Sequence, residues 1–116
     1  MKNAIEIRHY VSRVGKEVFD DWLTGLADAR TQAKIASRIN RLAAGNFDDC
    51  KSLRQGLYEL RIDWGPGYWV YYAMLGKLSC CFCAGGDKRQ QSRDIERALQ
   101  FLNDFSLEGG PELHEK

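Results

Sequence analysis

Proline is scarce in this sequence, two residues in 116, and no stretch reaches the 18 or more consecutive apolar residues that a membrane-spanning helix needs. The opening MKNAIEIRHY lacks the apolar segment of a secretory leader. A cytosolic protein without leader or membrane anchor is therefore expected. An excess of one charge sign is also missing, since 17 Lys and Arg face 16 Asp and Glu for a net charge of +1. That balance alone argues neither for nor against a polyanionic partner. Of the four cysteines, Cys50 stands alone, and Cys80, Cys81 and Cys83 form C-C-x-C, which matches neither a zinc knuckle nor a thioredoxin-like C-x-x-C. Neighbours on a strand point to opposite faces, and cysteine packs as a small hydrophobe. Buried reduced thiols are the expected state, ahead of a metal site or a functional disulfide, and no metal or other cofactor is expected.

What is present is the composition of a packed domain, 44% hydrophobic and 11% aromatic. The length fits one domain, expected over residues 1–105, with 106–116 as a flexible acidic tail. Charge is unevenly placed. From Arg30 to Arg61 seven bases face three acids, whereas the last nine residues hold three acids and one lysine.

Residues 4–10 alternate as a half-buried strand does. Val18, Phe19, Trp22, Leu23 and Leu26 mark one side of a helix over 16–26. Asp28 or Thr31 can cap a second helix, 31–44, which carries Ile35, Ile39 and Leu42 and stops at Gly45-Asn46. Strands over 57–63, 68–75 and 77–84 are separated by Gly65-Pro66-Gly67 and Gly76-Lys77, and Gly85-Gly86-Asp87 breaks the last of them. Ile95, Ala98, Leu99, Leu102 and Phe105 keep the period of a closing helix. The order β-α-α-β-β-β-α predicts an α+β domain with helices on one face of a mostly antiparallel sheet, the other face being free to work.

Lys34, Arg38 and Arg41 form a basic stripe on the second helix with no acid between Thr31 and Asn46. Such a stripe suits a phosphate-tracking surface, an acidic partner helix or plain solvation. Arg61 shares a strand face with Leu57, Glu59 and Asp63, either as the partner of a neighbouring acid or as a guanidinium for a phosphate. Trp69 and Tyr71 share a face of the next strand, where rings can stack on unpaired bases or simply cover the sheet. His9 is read as structural.

The ordered motifs R-x-Y (8–10), F-x-x-W-L (19–23), R-I-x-R-L-x-x-G-N-F (38–47), E-L-R-I (59–62), G-P-G-Y-x-V-Y-Y (65–72) and G-G-D-K-x-x-Q-x-x-D-I (85–95) resemble the HigB-type addiction-module killer proteins of the RelE/ParE toxin superfamily. The resemblance spans about residues 4–104. It implies a RelE-like fold and the toxin of a type II toxin-antitoxin module, causing growth arrest by cleaving mRNA, usually on translating ribosomes. It also implies a helix-turn-helix antitoxin as partner, contact with DNA only through the antitoxin complex, no membrane, and no metal.

In such an endoribonuclease the RNA 2′-hydroxyl attacks its own phosphate, a base removes the proton, an acid protonates the leaving oxygen, and cations hold the developing charge. By the resemblance Arg61 stabilises the phosphate and Lys88 acts beside it, with Tyr71 a further catalytic candidate. Lys51 and Arg54 position the RNA backbone, aided by Trp69 and by Lys34, Arg38 and Arg41. In G-P-G-Y-x-V-Y-Y the similar toxins usually carry arginine at x, where this chain has Trp69. Loss of one such donor costs on the order of 10²- to 10³-fold in rate. Either activity is weakened, or Trp69 stacks on a base and leaves catalysis to Arg61 and Lys88. The alternative function is a toxin that binds without cutting, like the ParE-type gyrase inhibitors, or a silent member that only binds its antitoxin.

Overall fold

The computed structural model describes residues 5–12, 14–77 and 79–107, with side chains to residue 103. Its elements are β1 (Glu6–His9), α1 (Val18–Thr24), α2 (Ala29–Ala43), β2 (Cys50–Ser52), β3 (Leu57–Ile62), β4 (Tyr68–Gly76), β5 (Ser79–Asp87) and α3 (Gln91–Leu107). The strands form one sheet in the order β1-β5-β4-β3-β2. β1 pairs parallel with β5, and the other three pairings are antiparallel. The fold is α+β. No helix among the described residues is long and apolar enough to cross a membrane.

The three helices do not share one face of the sheet, as the sequence suggested. Phe19, Ile35 and Leu42 of α1 and α2 pack with Leu60, Ile62, Val70, Tyr72, Cys80 and Phe82 on one side. On the other, Ala98 and Leu99 of α3 cover Leu57, Tyr71, Cys83 and Ala84. The sheet face expected to be free is therefore largely under α3. Cys83 and Ala84, neighbours in sequence, join the same cluster because the β4–β5 register shifts between Tyr71 and Tyr72, where a bulge interrupts the alternation.

β2 is a fifth strand that the sequence did not announce, only three residues long with two of them exposed. Gly85-Gly86-Asp87 does not break β5 but extends it. Both glycines are demanded by close approach: a Cβ at Gly85 would run into the Trp22 ring, and one at Gly86 into the Asp94 carboxylate. α1 is shorter than the expected 16–26. α2 starts at Ala29 because the Asp28 carboxylate accepts the Arg30 N–H (3.1 Å) and the Thr31 hydroxyl (2.8 Å). α3 continues two residues beyond Phe105, so residues 106 and 107 of the expected 106–116 tail are helical, and the rest of that tail lies outside the described residues. All four cysteines are free thiols, Cys50 half-buried and the others buried. Burial pushes the Cys80 thiol up to about 12.

Candidate nucleic-acid interface

The strand register assembles one end of the sheet. Arg61 of β3 lies opposite Trp69 of β4, which lies opposite Gly86 of β5. At the usual spacing between strands, Arg61 and Gly86 are roughly 10 Å apart across Trp69, and Lys88 follows two residues after Gly86 in the short 3-10 turn Lys88–Gln90. The next row inward runs Lys51, Glu59, Tyr71, Ala84. Residues two apart on a strand share a face, so Lys51, Glu59, Arg61, Trp69 and Tyr71 all belong to the side on which α3 packs. Lys51, Arg61 and Lys88 are exposed, and Trp69 is half-buried against the α3 cluster. Exposed cations of β2, β3 and the 3-10 turn therefore lie toward the end of the sheet at which α3 begins.

Several expected contributors sit elsewhere. Tyr71 is fully buried, and among the described residues its hydroxyl has no hydrogen-bond partner, although the Gln91 side chain lies close by. Burial first, then the charges of Glu59 and Asp94, hold this phenol above its ordinary range, so Tyr71 is a floor residue and not a surface acid or base. Arg38 is turned inward, 5% exposed, and donates to the backbone carbonyls of Asn46 (3.3 Å) and Asp48. It braces the loop after α2 and, though buried, still lines the hollow beside Lys34 and Arg41. Arg54 is exposed and paired with Glu96 of α3.

Lys34 and Arg41 remain exposed and line a hollow of about 240 Å³ whose wall also includes Arg61, Asp49, Asp63 and Trp64. Trp64 was not singled out by sequence. It is anchored by its indole N–H to the Thr31 hydroxyl (3.1 Å), and the Lys34 ammonium stands 4.8 Å from its ring centroid. Arg61 therefore borders both the α3-side end of the sheet and the basic hollow beside α2. No ion pair ties Arg61 to Glu59 or Asp63 among the described residues, which removes the acid-partner reading of this arginine.

Glu59 also escaped the sequence analysis as a site residue. The residue is 9% exposed, and its carboxylate receives one long hydrogen bond among the described residues, from the Gln91 amide at 3.5 Å. Asp94, 3% exposed, has one carboxylate oxygen without a partner among the described residues, and burial raises its pKa against the opposing pull of Arg97 and Arg93. No cluster of three or more His, Cys, Asp or Glu side chains suited to a metal ion occurs among the described residues.

No family model matches the chain. A curated Haemophilus influenzae protein (strain ATCC 51907 / DSM 11121 / KW20 / Rd), described as an uncharacterized protein, is 44% identical to it over 89 residues, covering 77% of this chain and 90% of that protein.

Proposed function

The chain belongs to the family of that Haemophilus influenzae protein, and within it we propose a toxin of a type II toxin-antitoxin module, with a RelE-like fold and HigB-type activity. It cleaves mRNA on translating ribosomes in the cytoplasm and is neutralised by a helix-turn-helix antitoxin, through which alone it meets DNA. The observation that carries this reading is the strand register, which puts exposed Arg61 opposite the half-buried Trp69, exposed Lys51 on the neighbouring strand and exposed Lys88 two residues past Gly86, so that an RNA strand could find cations for its phosphates beside a ring.

The chemistry asks little more of the protein. Arg61, unpaired among the described residues and exposed, is free to grip the scissile phosphate through two N–H groups. The 2′-oxygen attacks phosphorus in line, a 2′,3′-cyclic phosphate forms, the bond to the 5′-oxygen breaks, and Lys88 supplies the proton for that oxygen. Lys34 and Arg41 extend the basic surface past Arg61 toward α2 and hold the strand on either side of the cut. Trp69, in the position where similar toxins usually carry arginine, favours a second reading: a member that grips RNA or its antitoxin without cutting.

Growth arrest tests the proposal. Induced in a bacterium lacking the antitoxin, the chain arrests growth, and Arg61→Ala abolishes arrest while the domain stays folded. A folded Arg61→Ala protein that is equally toxic would remove Arg61 from the site. Trp69→Arg raises toxicity if the missing cation limits the rate, and leaves it unchanged or lowers it if the indole stacks on a base.

A further inference from the structure

We propose that Glu59 is the general base that takes the proton from the attacking 2′-hydroxyl. This inference rests on the ribonuclease reading above and supplies the one role that reading leaves empty, since arginine stays protonated and the buried Tyr71 is out of reach. Glu59 sits in the row next to Arg61 and on the same sheet face, two residues along β3, so the two Cα atoms stand roughly 7 Å apart. Lys51 is directly opposite on β2, and Gln91 closes over it from the first turn of α3.

Its state is unusual for a structural carboxylate. A buried acid is ordinarily tied by ion pairs and several hydrogen bonds, because leaving its charge uncompensated is costly. Glu59 has one contact at the outer limit of hydrogen bonding and no ion pair within 4.0 Å among the described residues. Its unused lone pairs remain available at the edge of the cationic face, where a ribose beside the phosphate on Arg61 would lie. Proton transfer there balances simply: the 2′-O–H bond breaks, the proton passes to a Glu59 oxygen, the 2′-oxygen bonds to phosphorus, and the 5′-oxygen departs with a proton from Lys88. The carboxyl returns its proton to water before the next turnover.

The test uses the whole chain and ribosomes programmed with a short mRNA, followed under single-turnover conditions. Glu59→Gln keeps the shape of the side chain, so the thermal transition and ribosome binding stay as in the wild type. Its cleavage rate falls by about 10²- to 10⁴-fold, the span of general-base contributions. Glu59→Asp, which keeps a carboxylate on the same strand face, recovers part of that loss. Cleavage by Glu59→Gln within about twofold of wild type, or a Glu59→Asp variant no faster than Glu59→Gln, would overturn the assignment while leaving the ribonuclease reading in place. Absence of cleavage by the wild type would overturn that reading, and the role of Glu59 with it.

Discussion

Arg38 and Arg41 are one helical turn apart in the same basic stripe, yet one is structural and the other displayed. The helical period places both near the border of the apolar face, and what separates them is the pair of carbonyls in the loop after α2 that draws Arg38 inward. Composition and spacing carry no trace of that loop. Replacing Arg38 with Met strands the carbonyl partners and should cost about 1–3 kcal/mol of unfolding free energy, measured by urea denaturation. Lys34→Ala and Arg41→Ala should change stability by no more than about 0.5 kcal/mol but weaken RNA binding and flatten its salt dependence. Glu59 was hidden for a related reason: alternation told which face it shares with Arg61, whereas its lack of an ion-pair partner is a matter of where Lys51 and Gln91 point. The glycine pair in G-G-D-K now has a physical meaning, because each Cα touches a side chain from a different layer, Trp22 or Asp94. Gly85→Ala forces the indole aside and should destabilise the domain by about 1–3 kcal/mol in the same assay.

At the scale of elements, strongly periodic segments were legible and weak ones were not. α2 and α3 announce themselves by apolar stripes, and β3 and β4 by alternation between turn signals. β2 has three residues and no room for a pattern, and it exists because β3 offers it a partner edge. The strand break expected at Gly85-Gly86 followed from glycine's poor strand propensity, which tertiary crowding overrides here. The loop between β3 and β4 is fastened to α2 by a relay in which the Trp64 indole donates to Thr31 and Thr31 donates to Asp28. Thr31→Val breaks both links within a nearly buried site and should cost about 1–3 kcal/mol. It should also loosen the hollow that Lys34 and Trp64 line, which amide hydrogen exchange at residues 63–67 would report as faster opening.

For the whole molecule, the α+β class and the order of the larger elements could be read from the chain, but the placement of α3 could not. Local patterning gives a helix its apolar stripe without saying which face of the sheet receives it, and the parallel β1–β5 pairing depends on contacts more than 70 residues apart. For the proposed function this matters: a sheet face that the sequence suggested was free is largely under α3, and the proposed site is confined to the end of the sheet beside the start of that helix. Acid response is also a property of the assembled layers. Burial between α3 and β5 holds the Asp94 pKa above 3.8, so the folded state keeps a proton that the unfolded chain gives up, and this group's contribution is present below pH 3.8 and lost as pH rises through its folded value. Asp28 and Asp87, lowered mainly by the hydrogen bonds from Thr31 and Arg89, act in the opposite sense and are lost as pH falls below 3.8. Asp94→Asn should therefore gain stability over wild type as pH rises above this window, seen as a growing difference in denaturation midpoint. A constant difference across the series would contradict the burial account.

The most direct measurement is the mapping of mRNA 5′ ends in cells lacking the antitoxin, before and after induction of the wild-type chain and of Arg61→Ala. The account predicts new 5′ ends within translated messages on induction of the wild type and none with the arginine variant. Growth arrest with intact messages would contradict it and leave a toxin that acts by binding alone.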